Sequence, residues 1–239
     1  MLFRSFGELQ QNPLNALVTI LAFSIALVIG ITVHEFSHAV SAYRLGDPTA
    51  KNLGRVTLDP RAHLDRVGTL LIFVAGFGWG KPTPVDPRYF RGNWQTGMAL
   101  VSLAGPISNL LVAGLLAITV HAGFFDSAFI RTGRMGFASF SDVSDILNVG
   151  HLEYFVGSLI TWNLLLAAFN LIPIAPLDGF KIVLGVLPQR QAMSWMRLER
   201  YGPGILMIVI MLDIGLSLGM LGRIIGPLIS FFSFVLLGW

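Results

Sequence analysis

His34, Glu35 and His38 form the string H-E-x-x-H (His34-Glu35-Phe36-Ser37-His38) inside a strongly apolar run. Residues four apart share one face of a helix, so both imidazoles can reach a single cation. Glu35 sits one step round and can touch a water held there, the arrangement used for metal-assisted hydrolysis. The surroundings sharpen the inference. An ionisable side chain inside a bilayer costs about 2.5–3.5 kcal/mol on insertion scales and marks functional sites. Three within five residues would be hard to tolerate without a compensating cation. A solvated polar helix end at the membrane interface is the plainer reading, but it leaves the position of Glu35 unexplained.

Two imidazoles make an incomplete site, because catalytic zinc takes three protein ligands and keeps one position open. The chain has no cysteine, which removes thiolate zinc sites, iron–sulfur clusters and disulfides together. The remaining histidines, His63, His121 and His151, fall in loops or at the ends of apolar segments. Asp178 is the better third ligand. It lies in Asn-Leu-Ile-Pro-Ile-Ala-Pro-Leu-Asp-Gly, residues 170–179. Pro173 and Pro176 end the helix before it and free backbone groups that must be satisfied within protein. A simple proline kink, or Asp178 as the N-cap of the next helix, is the alternative. Asp47, Asp59 and Asp65 are further carboxylates, ranked lower because they sit in the loop directly after the first helix.

The elements that must position these residues are read from composition and length. Of 239 residues, 54% are hydrophobic and only 12% are charged, about half the charge of a typical soluble domain. Mean hydropathy is +0.71. Disorder, a nucleic-acid-binding module and an ordinary cytosolic enzyme are excluded, and the net charge of +3 comes without a basic run. The pattern predicts an all-α polytopic membrane protein forming a single membrane-embedded domain over residues 1–239. About five transmembrane helices are expected, at 15–45, 96–121, 152–175, 203–220 and 223–239. The last two are separated at Gly222-Arg223. Residues 67–86 are too short an apolar stretch to span and run into prolines, so they are expected to form a re-entrant or β-hairpin-like element after the first span.

Topology tests the pairing of ligands. His38 and Asp178 meet only if the first and third spans are parallel, with 96–121 as the return crossing and 67–86 not crossing at all. On that arrangement twelve of the 16 basic residues lie on the site's side, leaving Arg4, Arg131, Arg134 and Arg223 on the other. The positive-inside rule then places the active site toward the cytoplasm and the N-terminus outside.

His-Glu-Phe-Ser-His early, Ala-Gly-Pro-Ile-Ser-Asn at 104–109 and Phe-Asn-Leu-Ile-Pro-Ile-Ala-Pro-Leu-Asp-Gly at 169–179 together resemble the site-2 protease family of intramembrane zinc metalloproteases. The resemblance covers residues 28–179, with the three motifs in the family's order. It implies one Zn2+ per chain on His34, His38 and Asp178, Glu35 as general base, and Asn170 holding the substrate or its developing oxyanion. It also implies a transmembrane protein substrate in a prokaryotic cell membrane, cleaved in regulated intramembrane proteolysis by a minimal form without a PDZ or CBS domain.

Gly78 and Gly80 lie in a stretch that could offer an extended edge to a locally unwound substrate. The alternative is an interfacial loop anchored by Trp79. Gly105, Pro106 and Asn109 are expected to serve close helix packing near the site. Asp213 could pair with Arg223, line a gate or remain hydrated. A metal- or proton-coupled transporter is the competing class, but transport favours ligand clusters along a path and paired repeats. One compact cluster without a repeat suits hydrolysis better. An inactive relative that only binds membrane segments is the third reading, against which intact Glu35 argues. Oligomeric state and substrate identity are left open.

Overall fold

The computed structural model describes residues 13–75, 78–125 and 151–238. Expectations that rest on Arg4, Arg131 or Arg134 lie outside the described residues. Within them the regular secondary structure is helical, with no β-strand. Four helices are long and apolar enough to cross a bilayer. These are α1 (Pro13–Leu45), α4 (Trp94–His121), α5 (His151–Asn170) and α9 (Met220–Leu237). Between and around them lie α2 (Thr49–Asn52), α3 (Arg66–Ala75), α6 (Asp178–Val186), α7 (Gln189–Met196) and α8 (Gly202–Gly215).

α1 runs 33 residues and stops where Gly46 takes a φ of +113°. A Cβ there would lie 2.7 Å from the Tyr89 carbonyl oxygen, so only glycine allows the chain to turn against the later loop. α4 is capped by Asn93, whose side chain accepts from the Gln95 and Thr96 amides. Along α4, Gly97, Val101, Gly105, Asn109, Ala113 and Ala117 recur every four residues and all are buried. This narrow spine of mostly small side chains is what lets α1 and α5 approach α4 closely. The opposite face carries Leu111, Leu115 and Ile118, each more than 60% exposed, as a lipid-facing stripe requires.

α1, α4 and α5 pack against one another, α6 packs on α4, and α9 covers α4 and α5. Ala113, Ala117, Val120, Val156, Ile160, Leu164 and Leu237 form one apolar cluster. Leu165, Ala168, Ile172, Leu177, Leu206, Ile210 and Ile225 form a second, tying the turn after α5 to α8 and α9. Cross-helix bonds fix the directions. Asn109 meets Gly30 and Asn163 at one level, while Val101 meets His38 one step nearer the site. α4 therefore runs against α1, and α5 runs parallel to α1, since Asn163 lies level with Gly30 while Asp178, just past the end of α5, lies 3.0 Å from His34, the arrangement that the ligand pairing demands.

Two expected boundaries shift. The third apolar segment stops as helix at Asn170 rather than near 175, because Pro173 and Pro176 cannot donate into a helical ladder. The expected span at 203–220 is α8, 14 residues long and therefore about 21 Å, short of a hydrocarbon core of about 30 Å. Its break falls at Ser217 and Gly219, both with positive φ, rather than at Gly222-Arg223, which lies within α9. Asp213 does not reach Arg223 there; it accepts the Met220 amide and ties α8 to the start of α9.

Residues 67–86 overlap α3, which starts one residue earlier, runs ten residues, is capped by Asp65 on the Gly68 amide, and is about 15 Å long. That length does not cross a bilayer. The extended chain that returns from α3 meets Leu64 in a single antiparallel bridge at Gly80, so the described part is an extended strap rather than a hairpin of paired strands.

Gly185 marks the tightest contact of α6 with α4, since a Cβ there would stand 2.2 Å from the Ala99 Cβ and 3.1 Å from the Gln95 carbonyl oxygen. Gly185→Val is expected to destabilise the protein by about 1–3 kcal/mol, read as a lower denaturation midpoint in detergent. An unchanged midpoint would contradict this contact.

Candidate metal centre

His34 and His38 stand one turn apart on the site end of α1, each 7% exposed. Their rings meet edge to face with centroids 4.6 Å apart. Asp178 opens α6 immediately after the proline-broken turn. Gly179 makes that turn possible: a Cβ on it would lie 2.3 Å and 2.5 Å from the Leu171 and Ile172 carbonyl oxygens. The turn returns the chain over the end of α5 and delivers the carboxylate to α1. Asp178 Oδ2 lies 3.0 Å from His34 Nε2 and 3.3 Å from His38 Nε2. One ligand atom from each of the three residues lies within 4.8 Å of the others.

The hydrogen bonds behind the imidazoles decide what these atoms can do. His38 Nδ1 lies 2.7 Å from the Val101 carbonyl oxygen, which can only accept, so Nδ1 carries the proton. His34 Nδ1 lies 2.7 Å from Asn109 Oδ1. The amide orientation of Asn109 is fixed in turn, because its Nδ2 donates to the Gly30 carbonyl at 3.0 Å and to Asn163 Oδ1 at 2.9 Å. Asn163 Nδ2 donates to the Leu159 carbonyl at 2.8 Å. Asn109 can therefore only accept from His34, and with neutral imidazoles both Nε2 atoms present lone pairs to the site.

Asp178 Oδ2 is buried without a hydrogen-bond donor, although it lies within ion-pair distance of both rings. Charging both imidazoles would set two like charges edge to face against one carboxylate. A single divalent cation satisfies all three lone pairs at once. Two imidazole nitrogens and a carboxylate oxygen are a zinc donor set, and tetrahedral zinc with ligands at about 2.0–2.1 Å spaces them by about 3.3 Å, close to the two separations found. The residues fit the metal.

Gly105 makes the room. A Cβ on it would stand 2.6 Å from His34 Cε1, His38 Cε1 and His38 Nε2. Pro106, one residue on, has no amide to donate to the turn that carries Val101 and Ser102. Sequence reading expected packing roles for Gly105, Pro106 and Asn109. Asn109 is fully buried and does more than pack: it orients His34.

Glu35 lies beside the ligands with Oε2 accepting the Thr83 amide at 2.8 Å, while its main-chain carbonyl accepts the Thr83 hydroxyl at 3.0 Å. Gly80 lets the strap lie down here, since a Cβ on it would come within 2.9 Å of Ile31 Cγ2 and 4.0 Å of Glu35 Oε1. Gly78 and Trp79 precede it, and Trp79 is 42% exposed. The Asn170 Nδ2 donates to the Leu166 carbonyl at 2.9 Å. The other carboxylates and histidines stay apart from the cluster. Asp47 is fully buried and accepts the Thr49 and Asp86 amides. Asp59 and Asp65 cap local turns. His63 is bonded to the Thr57 carbonyl and His121 to the Ala117 carbonyl.

Sequence reasoning missed Asn163, Arg55 and Thr83. Asn163 carried a usable signal, a lone amide within an apolar span. Thr83 and Arg55 sit in loops, where nothing in the sequence distinguishes them from their polar neighbours.

Residues 22–212 match the model of peptidase family M50. The chain belongs to the site-2 protease family, peptidase family M50. It is 39% identical over 192 residues, 80% of each chain, to "Putative zinc metalloprotease YwhC" of Bacillus subtilis (strain 168). It is 27% identical over 177 residues, 71% of this chain and 58% of the relative, to "Putative zinc metalloprotease Rip2" of Mycolicibacterium smegmatis (strain ATCC 700084 / mc(2)155). No solved structure matches. As a family M50 member the protein is a zinc metalloprotease of the site-2 type, with long apolar helices around a His-His-Asp cluster.

Gly105→Ala is expected to push the imidazoles aside and abolish stoichiometric metal binding while helicity is retained, as checked by elemental analysis and circular dichroism. Asn109→Leu removes the acceptor that fixes His34, and metal affinity should fall about 10–100-fold, measured by chelator competition. Wild-type affinity in Asn109→Leu would mean that His34 is oriented by other contacts.

Proposed function

We propose that this family M50 protein hydrolyses peptide bonds within or near transmembrane segments of membrane-protein substrates, in regulated intramembrane proteolysis. The observation that carries the reading is the convergence of three lone-pair-bearing atoms, from His34, His38 and Asp178, beside Glu35 within a bundle of apolar helices. His34, His38 and Asp178 are the residues that would hold one Zn2+ per chain. Bound there, zinc supplies Lewis acidity toward a peptide carbonyl and toward water.

The chain's own groups supply the rest. Glu35 takes a proton from the attacking water and passes it to the leaving amine. Oε2 is engaged by Thr83, which leaves Oε1 for that transfer. Asn170 spends one amide proton on Leu166 and keeps a second to offer a substrate carbonyl as it becomes an oxyanion. Gly78 and Gly80 give an unwound substrate segment close access to backbone. The adjoining stretch offers little edge pairing, because Pro82 and Pro84 lack amides and the Thr83 amide is bonded to Glu35. Gly105, Pro106, Asn109, Pro173 and Pro176 shape and orient the ligand set. The described residues act as one protease domain in a prokaryotic cell membrane, with the site toward the cytoplasm. Support for that orientation comes from the basic side chains gathered at the site's end, among them Arg44, Arg55, Lys81 and Lys181.

Cleavage of a single-span test substrate by the purified protein in detergent, compared with Glu35→Gln, tests the reading. Wild type should cleave and Glu35→Gln should lose at least 100-fold in rate with its metal content unchanged, since general base catalysis contributes about 10²–10⁴-fold. Equal cleavage by both would sink the role of Glu35. Bound metal with no cleavage of any single-span substrate would favour a transporter or an inactive relative.

A further inference from the structure

Arg55 lies in the loop between α1 and α3 and is only 4% exposed. Burying a guanidinium is costly unless its charge and donors are matched. One terminal nitrogen donates to the Lys81 carbonyl and the other to the Pro82 carbonyl at 3.3 Å. The nitrogen on Lys81 also lies 3.9 Å from Glu35 Oε2, the carboxylate that pairs with Arg55 among the described residues. The very next residue, Thr83, places its amide on the same Oε2 and its hydroxyl on the Glu35 carbonyl. Pro82 and Pro84 flank Thr83, so its amide is the one backbone donor between Lys81 and Val85. The far end of this strap is held as well, because buried Asp47 accepts the Asp86 amide at 2.7 Å.

The loop after α1 thus grips the strap at both ends and lays its single free donor on Glu35. Arginine suits the near grip, since its planar fork can reach two successive carbonyls while its charge faces the carboxylate. Without it those carbonyls lose their buried partner, and the strap is tied to Glu35 through Thr83 alone.

We propose that Arg55 is a positioning residue for the protease reaction: by holding the Lys81 and Pro82 carbonyls it sets the Thr83 amide on Glu35 Oε2, and so presents the carboxylate in one rotamer. This rests on Glu35 being the general base. Arg55 makes no ion pair with His34, His38 or Asp178; it acts through the strap.

The test uses the full chain in detergent with Arg55→Met, Arg55→Lys and Thr83→Pro, and reads hydrogen exchange at the Thr83 amide, metal content, and kcat and KM on a single-span substrate. Arg55→Met should speed Thr83 exchange at least tenfold and lower kcat at least tenfold, with metal content and KM within twofold of wild type. Arg55→Lys keeps the charge but not the fork, and kcat should fall between the two. Thr83→Pro deletes the donor and should match the kcat loss of Arg55→Met. Unchanged Thr83 exchange or unchanged kcat in Arg55→Met would overturn the proposal, and so would a kcat loss accompanied by loss of metal, which would make Arg55 a structural residue. If wild type cleaves nothing, the function proposed above fails, while Thr83 exchange still decides whether Arg55 holds the strap.

Discussion

A buried carboxylate oxygen faces two imidazole nitrogens at 3.0 and 3.3 Å, and a single cation among them meets all three at once. Asp178 Oδ2 has no donor, and the hydrogen bonds behind His34 and His38 commit both Nδ1 protons away from the site. Three lone pairs aimed at one point in a low-dielectric interior repel one another unless a cation lies between them. The surrounding architecture can be traced to that requirement. α4 runs opposite to α1 and α5 so that the first and third long helices end on the same side. Gly105 withholds a side chain so that both rings fit against α4. The two prolines stop α5 so that Asp178 can turn back toward α1.

Fixing the tautomer takes a chain of amides that reaches across three helices. Asn163 on α5 orients Asn109 on α4, which orients His34 on α1. Each link has its direction set by a backbone carbonyl that can only accept, Gly30 for Asn109 and Leu159 for Asn163. Asn109 and Asn163 are both fully buried, and in an apolar interior such groups are tolerable only when every donor is matched. The network therefore couples helix packing to ligand orientation: a shift of α5 against α4 disturbs the first imidazole.

The His34, His38 and Asp178 cluster was legible in the sequence because its signals are short-range and chemically scarce. His34 and His38 share a helix face by spacing alone, and Pro173 and Pro176 announce a break beside Asp178. The parallel course of the first and third long helices followed from asking how such residues could meet. What could not be read depends on three-dimensional closure. Arg55 and Thr83 look like ordinary loop residues until the strap after α3 brings them onto Glu35. Asp47 reads as a rival ligand by residue type, yet it is used to pin Asp86. The shortness of α8 was hidden because its residues are as apolar as a span, and the break comes from backbone conformation at Ser217 and Gly219 rather than from a charge. Residues 67–86 read as too short to cross, while pattern alone could not separate helix α3 from the extended strap that follows it.

X-ray absorption at the zinc edge of the purified protein, compared with Asp178→Ala, tests the central claim most directly. A first shell of two imidazole nitrogens at about 2.0–2.1 Å with light oxygen ligands at about 2.0–2.2 Å, lost or emptied of one oxygen in Asp178→Ala, is the predicted result. A wild-type protein that retains no zinc, or one whose zinc shell is the same in Asp178→Ala, would contradict it.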